Sequence, residues 1–180
     1  MQEITVALES PRQPDVMALI EALDSFHEGL YPPEANHHLD IDALCAPDIR
    51  FMVARRQGEV LGIGALWLRE NEGFGEIKRM FVRAETRGLG LGHKLLASVE
   101  ALARQHGIKW LLLETGSLNI GAMKLYERAG FVKRGPFAGY PDHPASVFME
   151  KALTYYPLSG VDSTSDRVPC VDPAGARRRA

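Results

Sequence analysis

Cysteine is scarce in this chain: Cys45 and Cys170 are the two among 180 residues. They stand far apart and belong to no C-x-x-C pair, so no disulfide framework and no thiolate metal site is expected. Cys45 lies in an apolar stretch and reads as a small buried hydrophobe. No apolar run approaches the ~18 residues that a membrane-spanning helix requires. Met1 to Glu9 has neither the basic start nor the long apolar core of a signal peptide. These absences predict a reducing, cytoplasmic setting. An excess of one charge is missing too. The 21 Lys and Arg stand against 23 Asp and Glu, a formal net charge of −2. That balance gives no general attraction to nucleic acid or to an anionic membrane. Adjacent His37 and His38 have no Cys or acidic ligand set beside them, so no metal is expected.

What the sequence does have is glycine in one telling place. Ile77 to Val82 is an apolar stretch that reads as a strand, and Leu91 to Gln105 is strongly periodic and reads as a helix. Between them lies Arg87-Gly88-Leu89-Gly90-Leu91-Gly92. Glycines there let a ligand approach the backbone, and the first N–H groups of a helix have no partner inside it. They also lie at the positive end of its dipole, so the turn suits a phosphate, and Arg87 adds a pairing charge. The spacing fails G-x-G-x-x-G, because the third glycine would fall at His93 or Leu95. It also fails the P-loop, because Gly92 is followed by His93 and Lys94. A nucleotide-binding module is therefore disfavoured.

The length suits one domain with a sizeable core. Ile4, Val6 and Leu8 alternate as a first strand. Val16, Leu19, Ile20, Leu23 and Phe26 give a helix with one buried face, with Asp15 a candidate cap and Gly29 its end. The polar, proline-stiffened stretch from Leu30 to His38 reads either as a surface loop whose prolines stop the helix or as a binding loop offering Tyr31, Glu34, Asn36 and His37. Ile49 to Arg55 and Val60 to Leu68 form a hairpin about Gln57-Gly58, and Gly62 and Gly64 inside it suggest a bulge or a close backbone approach. Glu76 to Val82 completes a meander. Trp110 to Leu113 is a buried strand, which makes strand, turn, helix and strand a right-handed crossover. Asn119 caps a helix carrying Ala122, Leu125, Tyr126 and Ala129, stopped by Gly130. Val132 to Arg134 and Ser146 to Lys151 are the last strands. Thr154 to Ala180 lacks periodicity and reads as a disordered tail.

Arg87-x-x-Gly90-x-Gly92 resembles the pyrophosphate-binding motif of the GNAT superfamily, the GCN5-related N-acetyltransferases that use acetyl-CoA. Glu76-Ile77-Lys78-Arg79-Met80-Phe81-Val82 resembles the strand before that loop. Asn119-x-x-Ala122-x-x-Leu125-Tyr126-x-x-x-Gly130-Phe131 resembles the family's later helix. Gly135 to Lys151 is similar to a bacterial subgroup of small-molecule acetyltransferases. The resemblance spans Ile4 to about Leu153 and implies a mixed α/β GNAT fold. Its twisted sheet is mostly antiparallel, flanked by helices, and splayed at one strand pair for the coenzyme. A transferase domain would occupy residues 1–153 and a tail 154–180.

The implied activity is direct acetyl transfer from acetyl-CoA to a primary amine, without a metal. The implied coenzyme site is Phe81, Val82, Arg87, Gly88, Leu89, Gly90, Leu91, Gly92, His93, Lys94 and Asn119. A lysine-like amine has a pKa of about 10.4 and must lose a proton before it attacks. Glu76 stands where the family often places the base, and Glu114, at the splayed end, is a second candidate or an acceptor contact. Tyr126 stands where the family places the acid for the departing thiolate. A backbone N–H near Phe81 or Val82 would receive the thioester oxygen's developing charge. A small-molecule acceptor is favoured, and Glu34, Glu76, Glu114 and Asp142 would suit a cationic amine, whereas His37, His38 and Arg79 weigh against that. A protein lysine or N-terminal acceptor and a non-catalytic CoA-binding regulator are the alternatives. Family habit adds a homodimer.

Overall fold

A meander and a crossover are joined at one strand pair. The computed structural model describes residues 3–33, 37–154 and 166–170. Glu34 and Asn36, acceptor contacts on the binding-loop reading above, lie outside those residues. Seven strands form one sheet in the order β1-β2-β3-β4-β5-β7-β6. They are β1 (Thr5–Leu8), β2 (Ile49–Arg56), β3 (Glu59–Arg69), β4 (Phe74–Val82), β5 (Trp110–Gly116), β6 (Val132–Arg134) and β7 (Ser146–Ala152). Every neighbouring pair is antiparallel except β4 with β5. The helices are α1 (Pro14–Glu28), α2 (Ile41–Leu44), α3 (Leu91–Gln105) and α4 (Ile120–Arg128).

Local chemistry explains the ends of these elements. Proline opens α1, where its missing N–H costs nothing, and Gln13 rather than Asp15 holds the cap position. The Asp40 carboxylate accepts from the Ala43 N–H at 2.8 Å and starts α2. The β2–β3 turn places Gln57 at φ 54° and Gly58 at φ 83°, the positive-φ pair that a two-residue hairpin requires. The Asn119 side chain accepts from the Ala122 N–H at 3.3 Å and caps α4.

Both faces of the central strands are covered, and β2 is buried over six successive residues. On one face, Leu91, Leu95, Leu96, Val99, Leu102 and Ala103 of α3 pack with Leu61, Leu66, Leu111, Leu113 and Met149. On the other, Val16, Leu19, Ile20 and Leu23 of α1 pack with Phe51, Val53, Ile63 and Ala65. Burial of each such Leu, Ile or Val side chain is worth about 1.5–3 kcal/mol. This places α3 and α1 on opposite sides of β3 and β4. The glycine turn and the start of α3 are thereby fixed at the end of β4.

The C-terminal segment departs from the tail reading. Asp166 accepts from Arg50 Nε at 2.8 Å and lies 2.6 Å from His106 Nε2. Arg50 is buried, and a buried guanidinium needs a counter-charge. Asp166 supplies it across 116 residues of sequence. Cys45 and Cys170 form a disulfide, with Cα atoms 5.6 Å apart. This corrects the expectation of unpaired cysteines and removes the inference of a reducing compartment from cysteine usage. A sequence separation of 125 conceals the pairing until the fold brings the end of α2 beside Cys170. Among the described residues, no helix is long and apolar enough to cross a membrane.

Candidate active site

β4 and β5 pair only over Gly75–Ile77 and Leu111–Leu113 among the described residues. Beyond Ile77 and Leu113 the two strands part, and the cause lies in β4. Arg79 has φ 57°, and the β3–β4 register shifts between Ile63 and Ala65. This bulge needs glycine opposite it. A Cβ on Gly64 would stand 2.6 Å from Met80 Sδ, and one on Gly62 would stand 3.0 Å from the Phe81 carbonyl oxygen. A left-handed arginine costs of order 1–3 kcal/mol and persists only where its surroundings enforce it. Here the Arg79 guanidinium donates to the Leu39 carbonyl, at 3.1 Å from Nε, and also to Asp24. The bulge leaves the outer edge of β4 free of a strand partner along the gap.

The gap opens onto a groove of about 650 Å³, within the range of ligand sites. One wall is Phe81, Val82, Arg87, Gly88 and Gly90 to His93, and the other is Leu118 to Ala122 with Leu125 and Tyr126. Gly88 and Gly90 have φ 82° and 76°, and Gly90 is the N-cap of α3. A Cβ on Gly92 would meet Leu125 Cδ2 at 3.2 Å, so glycine there lets α3 and α4 approach across the groove. The Arg87 guanidinium stands 5.7 Å from the Phe26 ring and 5.8 Å from the Phe81 ring. Two of the expected coenzyme residues are placed otherwise. Leu89 is 62% exposed and outside the groove wall, and the Lys94 ammonium donates to the Ile4 carbonyl. Sequence reasoning missed Leu118, Ile120, Lys124 and Arg128 on the α4 side. Their one legible signal is two large apolar residues, Leu118 and Ile120, left more than half exposed at a helix start.

A smaller cleft, about 80 Å³, adjoins the groove on the β5 side. Glu114, Lys78, Arg79, Tyr31, His27, His37 and His38 line it. Tyr126 lines both spaces, so it stands where they meet. Burial raises the Tyr126 phenol well above its usual value, and the nearby Glu114 carboxylate adds to that. Tyr126 is therefore a neutral O–H donor at pH 7. Desolvation also raises Glu114 above the ordinary carboxylate range, opposed by Ser146, Lys78 and His37.

Glu76 is placed differently from its expected role. It is fully buried and forms no part of the cleft wall. Arg69 Nε donates to its Oε2 at 2.7 Å, and Tyr140 Oη donates to its Oε1 at 2.6 Å. Lys78 Nζ lies 3.3 Å from Oε1. Tyr31 does line the cleft, but its hydroxyl accepts from the Leu118 N–H at 3.0 Å and its ring lies against Gly116. The His37 carbonyl accepts from Lys78 Nζ at 3.4 Å. His38 Nδ1 is 3.1 Å from Asp24 Oδ1, while the Nε2 atoms of both His37 and His38 are buried without a hydrogen-bond partner among the described residues. Burial, then the neighbouring His38 and Arg79, lowers His27 to about 4. Among the described residues, no group of three or more His, Cys, Asp or Glu is placed to hold a metal ion.

Residues 16–131 match the model of the acetyltransferase (GNAT) family. The chain is 49% identical over 153 residues to an IAA acetyltransferase of Azospirillum brasilense, covering 85% of this chain and 100% of that one. A crystal structure described as an acyl-CoA N-acyltransferase of Klebsiella pneumoniae is 40% identical. It superposes with a TM-score of 0.71 over 84% of this chain and 98% of its own. An aminoglycoside 6'-N-acetyltransferase solved with coenzyme A shares the fold at 16% identity, with a TM-score of 0.66 over 85% and 99% of the two chains. The chain belongs to the GNAT acetyltransferase family, and it is an N-acetyltransferase.

Proposed function

We propose that this chain transfers the acetyl group of acetyl-CoA to the primary amine of a small acceptor, with Glu114 as base and Tyr126 as acid. The observation that carries the proposal is the position of Tyr126 at the meeting of a large groove and a small cleft, with Glu114 in the cleft wall. The groove suits the coenzyme. Its glycines leave backbone N–H groups open to a pyrophosphate at the start of α3, and Arg87 adds charge. The unpaired edge of β4 around Phe81 and Val82 suits an amide-bearing arm laid alongside it, as in strand addition. The cleft of about 80 Å³ suits a small acceptor better than a protein segment.

The acceptor arrives as an ammonium. Glu114 takes its proton, for which a raised carboxylate pKa is the better match at neutral pH. The freed nitrogen then forms the new C–N bond as the C–S bond breaks, and its second proton restores the Tyr126 hydroxyl after Tyr126 has protonated the sulfur. A β4 N–H near Phe81 or Val82 donates to the carbonyl oxygen, and Tyr126 donates its proton to the departing sulfur. Glu76 takes a positioning part, holding Lys78 at the cleft directly and through Tyr140. Residues 1–153 are the transferase unit in this reading, with Asp166–Cys170 folded back upon it. The proposed site of action is the cytoplasm, where a disulfide is a redox-dependent feature.

Glu114→Gln tests the assignment. The expected result is a kcat lower by about 10²–10⁴, with calorimetric affinity for acetyl-CoA unchanged. The acid limb of the parent's pH–rate profile, set by the raised Glu114, should disappear. Parental kcat and an unaltered profile would place the base elsewhere.

A further inference from the structure

The charge that lines the acceptor cleft differs from the charge that the sequence suggests. Four carboxylates read from the sequence would favour a cationic acceptor. In the structure Glu76 is enclosed by Arg69 and Tyr140, Asp142 is outside the cleft wall, and Glu34 lies outside the described residues. Glu114 is the one carboxylate in the described wall, and it faces Lys78, Arg79 and three imidazoles. The charge of Arg79 is answered behind the wall by Asp24. Lys78 pairs with Glu76, a carboxylate that it shares with Arg69.

Lys78 is buried, and its ammonium has three protons to place. Its one short contact is to a neutral atom, Tyr140 Oη at 2.6 Å. The His37 carbonyl at 3.4 Å and Glu76 Oε1 at 3.3 Å are both long, and Glu76 is already bonded by Arg69 and Tyr140. Two cations thus divide one buried carboxylate, and a second anion at the cleft would complete the pairing of Lys78. Beside it, the ring nitrogens Nε2 of His37 and His38 are buried with no hydrogen-bond partner among the described residues. Unsatisfied buried polar atoms in a native structure call for a ligand or another explanation.

We propose that the acceptor is a small amine that also bears a carboxylate, an amino acid in the broad sense. Its acid group rests on Lys78, with His37 and His38 as further polar partners, and its amine is presented to Glu114. The inference rests on the acetyl-transfer reading above and names the chemical class of its second substrate. Lys78 and Glu114 then act as a two-point gauge, one for each end of a zwitterion.

The test uses the full chain with saturating acetyl-CoA and a thiol-release assay. Acceptors are matched sets: a small amino acid, its methyl ester and the amine formed by removing the carboxyl group. The expected kcat/KM for the acid exceeds that of the ester and the amine by about 10- to 100-fold, the weight of one charge-assisted hydrogen bond. Lys78→Gln should erase that preference through KM, with acetyl-CoA affinity unchanged by calorimetry, and Lys78→Arg should restore part of it. Esters or plain amines used as well as the acids would overturn the proposal, as would acetyl-CoA binding without turnover of any acid. If Lys78→Gln fails to fold, seen as a lost melting transition, the parent's acid-to-ester ratio decides alone. Absence of acetyl-CoA binding in the parent would instead overturn the acetyl-transfer reading itself, a result distinguishable from either.

Discussion

Tyr126 and Tyr140 are both phenols with raised pKa in one small region, yet their surroundings give them different tasks. Tyr140 Oη receives from Lys78 and donates to Glu76, so its proton is committed. Tyr126 is raised chiefly by burial and stands at the coenzyme groove, so its proton is available for transfer. Tyr126→Phe should therefore lower kcat by about 10²–10⁴, with acetyl-CoA affinity within two-fold of the parent. A kcat equal to the parent's would remove the acid role. The place of Tyr126 on a capped, periodic helix was legible in the sequence, and its acid role was implied by the resemblance of that helix to the family's. The environment of Glu76 was not legible. Its partner Arg69 sits on the other strand of a hairpin, with Trp67 directly opposite Glu76. The diagonal contact follows from a register that no spacing rule displays.

At the scale of the element, the site depends on a fault in strand β4. Gly62 and Gly64 announced a bulge or a close approach, and they provide room for Met80 and Phe81 to lie over β3. The sequence could not show that the residue in the left-handed region would be Arg79. Arginine has no preference for that region, and the anchors that hold it, Leu39 and Asp24, belong to distant segments. Gly62→Ala places a methyl group 2.9 Å from Leu95 Cδ1 and 3.0 Å from the Phe81 carbonyl oxygen. The leucine tip can move aside, but the backbone cannot. The variant should lose about 1–3 kcal/mol of stability and show a raised KM for acetyl-CoA, because the displaced backbone is the groove wall. Thermal unfolding with steady-state kinetics checks both. A stable variant with a parental KM would show that the edge of β4 does not hold the coenzyme.

Over the whole molecule, composition says nothing of contacts between segments far apart in sequence. The segment after residue 153 is polar and aperiodic, yet Asp166 neutralises a buried arginine and contacts His106. Short-range pattern does not report a contact made across the entire chain. Burial tends to raise the Asp166 pKa, but His106 and Arg50 together hold it below the ordinary aspartate value. A carboxylate with a depressed folded pKa adds stability above its unfolded pKa and loses it as pH falls through the folded one. Asp166→Ala should thus lower Tm by several degrees at pH 7, from a loss of about 1.5–3 kcal/mol. The gap between parent and variant should narrow below about pH 4, and turnover at 25 °C should be unchanged. Equal melting temperatures at pH 7 would show that the Asp166 contact contributes nothing.

The bond between Cys45 and Cys170 also alters what kind of object the molecule is. The covalent path runs from the end of α2 through six strands and back to its start, a closed ring spanning 125 residues. The glycine turn and both strands of the splayed pair lie on that ring, whereas β1, α1 and the His27, Tyr31, His37 and His38 side of the cleft hang from it as a branch. A single proteolytic cut within the ring therefore opens it without parting it. The nicked molecule would still run as one band until a reductant is added, and then as two.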